Sequence, residues 1–249
     1  MVAHTVEADY LLVGAGAMGL AFADALLAES DATIAIVDAH PAPGGHWNEA
    51  YAFVRLHQPS SSYGVSSMPL GREDQKDETG INAGLYHCAS GDEVRRYFGE
   101  VMERLLATGR VRHFPSCHWV GGGRFVSSSG DEGEVTIRKA LVDGTYTQTE
   151  VPSTHPPAYH VADGARCVPV NALVSGVRQA DAFVIVGAGK TAMDACVWLL
   201  EQGVAPEDIR WIRARDPWVV MQTVPTIMVR IAMIHIIGCQ LQRSDPKAT

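Results

Sequence analysis

At 249 residues and 47% hydrophobic, the chain is long enough to bury a sizeable core and to form one or two domains. A net charge of −8, with no run of five or more Lys/Arg, argues against a nucleic-acid surface. Cys88, Cys117, Cys167, Cys196 and Cys239 are widely spaced and form no C-x-x-C, which excludes a small disulfide framework and suits reduced thiols in a cytoplasmic protein. None of the ten histidines stands in H-E-x-x-H, so no metal site is expected.

Asp9–Val13 is a short apolar run that predicts a strand, and Gly14-Ala15-Gly16-Ala17-Met18-Gly19 interrupts it. Leu20–Ala28 then carries apolar residues at helical spacing. Thr33–Val37 predicts a second buried strand, ended by Asp38. In such a strand, turn and helix, the first glycine permits the sharp turn, the second lets backbone N–H groups approach a pyrophosphate, and the third lets the helix pack close on the strands. The helix N-terminus favours the phosphates. Asp38, 24 residues after Gly14, can accept both hydroxyls of an adenosine ribose. So short a lead before this fingerprint leaves no room for a signal peptide.

A Pro/Gly-rich loop follows, from His40 through Gly44-Gly45-His46-Trp47, and a loop of this composition lets backbone approach a ligand. Trp47 and Tyr51 also suit core anchors. The pattern Gly44-Gly45-x-Trp47, then Tyr51, Arg55, Pro59, Tyr63 and Ser66, resembles the segment after the FAD fingerprint of flavin-containing and Baeyer–Villiger monooxygenases. The resemblance implies an FAD/NAD(P)-dependent oxidoreductase with two dinucleotide-binding domains. Gly45, His46 and Trp47 would run alongside the flavin, with Arg55 and His57 near its isoalloxazine end as the only candidates for a catalytic role.

The charged run 72–78 reads as a solvated loop. Gly91 to about Leu106 predicts an amphipathic helix with Val94, Tyr97, Phe98, Val101, Met102 and Leu105 on one face. From 111 to 157 the period shortens to that of strands, at 111–114, 118–120, 124–126, 134–138 and 146–151, with turns at Gly121-Gly122-Gly123 and Asp143-Gly144. The resembling flavoproteins place a β-rich segment here and return through an Ala-Thr-Gly-like turn, to which Val151–Pro157 is loosely similar. Their F-x-G-x-x-x-H-x-x-x-W/Y sequence is absent before the second motif, which separates oxygenation from what the resemblance implies.

Ala182–Val186 leads into Gly187-Ala188-Gly189-Lys190-Thr191-Ala192 and a helix through Leu200, a second fingerprint about 173 residues after the first. The strand Ile209–Ile212 ends in Arg213-Ala214-Arg215, where guanidinium groups suit a 2′-phosphate that a carboxylate would repel. The first site is therefore expected to take FAD and the second NADPH. Gly189-Lys190-Thr191 fails as a phosphate loop of nucleoside triphosphatases, because the position needing its first glycine is Val184. Gln222, Pro225, Arg230 and His235 interrupt the apolar stretch 219–238, which argues against a membrane span.

Only 31 residues follow Trp218, fewer than the resembling flavoproteins use to complete a second domain and cap the flavin. The expectation is an α/β protein: a Rossmann-like FAD-binding domain at 1–177 with a β-rich insertion at about 111–157, and a partial NAD(P)-binding domain at 178–249. Such a chain is C-terminally truncated, or a minimal form in which a second copy or a partner covers the incomplete sheet. Two alternatives stay open beside an NADPH-using flavin reductase of monooxygenase type: a non-catalytic nucleotide-binding module, and a flavin-free NAD(P)H dehydrogenase. The organic substrate is unspecified.

Overall fold

Leu11 and Leu12 are fully buried on the two faces of one strand, as the centre of a parallel sheet requires. In the computed structural model, which describes residues 4–79, 82–145, 153, 155–157, 159–176 and 180–214, that strand is β1 (His4–Val13). The chain divides into two compact units, Met1–Ala50 with Pro59–Gln75 and Ala89–Thr149, and Tyr51–Gln58 with Lys76–Cys88 and Glu150–Thr249.

In the first unit β1 turns into α1 (Ala17–Glu29) and the chain returns along β2 (Ile34–Val37), all four of whose residues are buried. Two short strands, β3 (Gly64–Val65) and β4 (Met68–Pro69), precede α2 (Gly91–Ala107). Then come β5 (Val111–Phe114), β6 (Cys117–Gly121), β7 (Arg124–Ser127) and β8 (Glu132–Asp143). The sheet order is β5-β2-β1-β8-β7-β6. The first four strands are parallel, and the β6–β7 hairpin extends the sheet antiparallel from β8.

Local chemistry explains the boundaries. Ser90 and Glu93 form a reciprocal capping box at the start of α2, where two acids also favour the helix dipole. The Arg110 guanidinium donates to the Leu27 and Ser30 carbonyls and so satisfies the end of α1. Tyr97 on α2 holds the β3–β4 hairpin through one hydroxyl, which accepts from Val65 N at 2.6 Å and donates to Met68 O at 2.5 Å. On α1, the Asp24 carboxylate accepts from the Ser67 N–H at 3.0 Å and from the Ser67 hydroxyl.

Two strands run longer than the sequence predicted. Along β1 and β8 the pairing shifts between Ala8 and Tyr10, with Arg138 and Lys139 set against Asp9. Such a bulge hides a strand from period-two pattern reading. It also turns both cations toward one carboxylate: Arg138 Nε lies 3.2 Å and Lys139 Nζ 3.7 Å from Asp9 Oδ1. The other Asp9 oxygen accepts from Thr33 N at 2.9 Å, joining β1 to β2. The β-rich segment is thus largely part of the main sheet, with β5 and β8 flanking the β1–β2 pair.

The expected turn at Asp143-Gly144 packs against the end of β1. Gly144 N donates to Val13 O at 2.8 Å, and Asp143 Oδ1 accepts from the Thr145 N–H at 2.8 Å and hydroxyl at 2.6 Å. Asp143-Gly144-Thr145 therefore closes on the end of β1, and Val151–Pro157, the stretch similar to the return turn, lies partly outside the described residues. The predicted strand at 146–151 and the apolar stretch at 219–238 lie outside the described residues.

In the second unit, α3 (Leu173–Gly176), β9 (Phe183–Val186), α4 (Lys190–Glu201) and β10 (Ile209–Ile212) surround a core of Leu173, Ala195, Cys196, Leu199 and Ile209. Strands β9 and β10 are parallel. Phe53 stacks on Trp198 at 4.8 Å, which is why the short segment after Tyr51 belongs with this unit. Val184, Val186 and Ile212 are more than half exposed.

Replacing Ser90 by Ala removes one side of the capping box and is expected to cost about 1 kcal/mol. Urea denaturation should show a lower midpoint with an unchanged slope.

Candidate nucleotide-binding site

The first corner is built by close backbone contact. Gly14 has φ +94°, a left-handed turn that disfavours any side chain. A Cβ on Gly19 would lie 2.1 Å from the Gly14 carbonyl oxygen, so the third glycine is fixed by its neighbour's backbone. Gly16 is the extended N-cap of α1, and no side chain caps that helix end and no acid occupies its first turn. Its N-terminal N–H groups are free of competing carboxylates, which suits an anion.

A second glycine loop lies on the first. Gly44 N donates to Ala15 O at 2.9 Å, Gly45 has φ +56°, and a Cβ added there would come within 3.1 Å of the Gly16 Cα. Ala15 is fully buried, while Met18 is 69% exposed at the corner. The Gly44–Gly45 pair leads into a single 3-10 turn at Gly45–Glu49. There Trp47 is buried, its indole N–H donating to the Tyr63 hydroxyl at 2.8 Å and its carbonyl accepting from Arg95 at 3.1 Å. Trp47 is therefore an anchored core residue, with the exposed His46 ring stacked on it at 5.6 Å.

Asp38 ends β2 with 4% exposure. Its Oδ1 accepts from His40 N at 3.2 Å and lies 3.4 Å from His40 Nδ1. Its Oδ2 is buried without a hydrogen-bond partner. A buried carboxylate oxygen left unpaired is costly, and a ligand hydroxyl would satisfy it. Gly14, Ala15, Gly16, Ala17, Met18, Gly19, Asp38, Gly45, His46 and Trp47 thus all lie in one unit.

The second corner repeats the geometry. Gly187 has φ +133° and donates to Ile212 O at 3.0 Å, and Gly189 caps α4 at φ −85°, ψ 177°, close to the −77°, −176° of Gly16. A Cβ on Gly187 would stand 3.8 Å from the Ala192 Cβ, ordinary contact, so alanine fits where the first corner needs glycine. The Trp211 indole donates to Gly187 O at 2.6 Å, and the Arg213 guanidinium lies 5.0 Å over the Trp211 ring. Arg215 lies outside the described residues.

At this corner Asp194 escaped sequence reasoning. Lys190 bonds the Asp194 carboxylate one helical turn on, and the Tyr51 hydroxyl donates to the same oxygen at 2.6 Å. Lys190 also lies 6.0 Å over the Tyr51 ring. Burial, reinforced by Asp194, pushes the Tyr51 phenol well above its ordinary pKa, and a hydrogen bond with Thr191 opposes that rise. Tyr51 therefore acts as a neutral donor. The i, i+4 spacing of Lys190 and Asp194 was the available signal. Arg55 donates to Cys88 O at 2.9 Å and His57 is exposed, both in the second unit. Among the described residues no three His, Cys, Asp or Glu side chains form a metal-binding group, and no helix is long and apolar enough to cross a membrane.

Residues 12–72 match the model of an NAD(P)-binding Rossmann-like domain. The chain has a Rossmann-like nucleotide-binding fold. The fold is similar to that of a flavin-containing monooxygenase from Stenotrophomonas maltophilia, at TM-score 0.57 and 16% identity over 98% of this chain and 70% of that one. It is also similar to a bacillithiol disulfide reductase from Bacillus cereus, at TM-score 0.56 and 14% identity over 95% of this chain and 65% of that one. An uncharacterized protein of Mycobacterium tuberculosis is 47% identical over 98% of this chain. The chain spans 47% of that relative's length, about half. The resemblance to FAD/NAD(P) oxidoreductases of flavin monooxygenase type thus extends to the fold.

The third glycine of the first corner and the helix-capping glycine of the second differ in tolerance. Gly19→Ala must displace the Gly14 carbonyl and should cost about 1–3 kcal/mol. Gly189→Ala, with nothing within 4 Å of its Cβ and an ordinary φ, loses only a glycine N-cap and should cost no more than about 1 kcal/mol. Paired chemical denaturation curves measure both.

Proposed function

We propose that this stretch of chain holds FAD at the first glycine corner and NADPH at the second, as the cofactor-binding part of a flavin-dependent oxidoreductase. The observation that carries the reading is the buried, unpartnered Asp38 Oδ2 at the end of the strand that leaves the first corner. A free ribose diol matches that acceptor, while a 2′-phosphate would be repelled by it. The crowded backbones at this corner fit a pyrophosphate, since a side chain at Gly14, Gly19 or Gly45 would clash or strain the turn and Gly16 lies directly against Gly45.

At the second corner the uncapped start of α4 would face phosphates, and Arg213, which follows β10, would pair with a 2′-phosphate. Lys190 is held by Asp194 and serves to position Tyr51 and the first turn of α4. When bound, flavin would supply the capacity to accept a hydride from reduced nicotinamide. The chain's own residues bind and orient: Asp38 fixes the ribose, the two glycine loops fix the pyrophosphate, and Trp47 fixes the loop beside them. No acid–base residue is assigned.

A second reading has its own support. It is a nucleotide-binding module without turnover of its own; the chain spans 47% of the curated relatives' length.

Purified protein reconstituted with FAD should show a flavin absorption band that bleaches under argon on adding NADPH faster than on adding NADH. Arg213→Ala together with Arg215→Ala should remove most of that preference, about tenfold. Bound flavin that NADPH leaves oxidised would favour the second reading; a colourless protein that oxidises NADPH would refute the FAD assignment. Asp38→Asn should weaken FAD binding about tenfold with little change in FMN binding, measured by flavin fluorescence quenching.

A further inference from the structure

A second buried polar atom accompanies Asp38 Oδ2. The Nε2 of His113, on β5, is also buried without a hydrogen-bond partner. The strand register places the two together. Ile36 pairs with His113 and Val37 with Phe114, and Asp38 N donates to Phe114 O at 3.0 Å. Cross-strand partners share a face, and residues two apart on a strand share a face, so the side chains of Ile36, Asp38 and His113 lie on the same side of the sheet. It is the side on which Leu12, the partner of Ile36, packs close to Gly19 of α1. Phe114 and Val37 pack into the opposite core with Phe125. A spacing of about 4.8 Å between strands and about 3.3 Å per residue sets Asp38 and His113 roughly 8 Å apart at their backbones, a gap that two side chains and one hydroxyl can fill.

The chemistry of the pair is complementary. Burial pushes the His113 pKa down, with Asp38 opposing, so the ring is neutral near pH 7 and can present one N–H. A carboxylate oxygen accepts and an imidazole N–H donates, and a single hydroxyl can satisfy both by donating to Asp38 and accepting from His113. An isolated phosphate oxygen could satisfy only the donor.

We propose that His113 is a specificity-determining residue of the first site, recognising a ribose hydroxyl of the adenosine together with Asp38. The inference rests on the FAD reading above and adds to it a residue that sequence analysis passed over. The competing occupant of the same gap is a resident water, which would serve the fold and leave ligand choice unchanged.

Full-length protein is titrated with FAD and with FAD analogues carrying 2′-deoxyadenosine or 3′-deoxyadenosine, for wild type, His113→Phe and His113→Gln. Wild type should bind one deoxy analogue about tenfold more weakly than FAD. His113→Phe should bind FAD about tenfold more weakly and lose much of that discrimination, while His113→Gln, whose amide can donate, should restore part of it. Equal wild-type affinity for FAD and both analogues overturns the inference. A His113→Phe protein that melts at a different temperature yet keeps the full discrimination overturns it in favour of the water. Should His113→Phe not fold, the wild-type analogue series and the His113→Gln variant decide the matter in the same way. Wild type that binds no FAD at all overturns the FAD reading itself, and this inference falls with it.

Discussion

The approach of backbone to backbone at the first corner constrains the rest of the first unit. The Gly14 carbonyl leaves no room for a Cβ on Gly19, so α1 must lie against the end of β1. That contact sets the direction of α1 and the place where β2 returns. It also fixes the height at which Asp38 leaves the sheet. The Gly44–Gly45 loop then packs onto the same turn through Gly16 and Ala15. Asp143-Gly144-Thr145 closes on Gly14 from β8, where the Thr145 methyl would meet an added Cβ at 2.9 Å. Three separate stretches of chain thus converge with almost no side chain between them. The convergence leaves main-chain polar groups, and not side chains, to meet a ligand.

Both corners use one geometry with different tolerances. The N-cap glycines share nearly the same dihedral angles, yet the first helix demands glycine at its third position and the second accepts Ala192. At the second corner a Cβ on Gly187 would still stand 3.8 Å from that of Ala192, and α4 is seated by Ala195, Cys196 and Leu199 in one core with Ile209. The second corner compensates with side chains: Trp211 donates to the Gly187 carbonyl, and Tyr51, Lys190 and Asp194 brace the helix start.

Much of this was legible in the amino acids because glycine spacing, apolar runs and a terminal acid each report a local requirement. The strands, turns and helices of both fingerprints fall where those signals put them, and α2 shows its apolar face directly. What escaped depended on distant partners. The extent of β8 was masked by Arg138 and Lys139, whose polarity makes sense only once Asp9 lies opposite. The closing turn at Asp143 differs in sequence from the Ala-Thr-Gly form and is recognised by its hydrogen bond to Val13. Tyr51 read as a generic anchor because its partner is 143 residues away. His113 looked like one of ten scattered histidines until strand register set it beside Asp38.

The two units interleave along the polypeptide: the chain changes from one to the other after Ala50, Gln58, Gln75, Cys88 and Thr149. No single cut can therefore isolate either unit. A fragment ending before the second fingerprint would retain Tyr51 and Phe53 while losing Asp194 and Trp198, the groups those aromatics bond and stack upon. Neither half of the polypeptide is autonomous in the way its two glycine signatures imply, and modular shuffling of this architecture has to exchange the short inner segments along with the terminal ones.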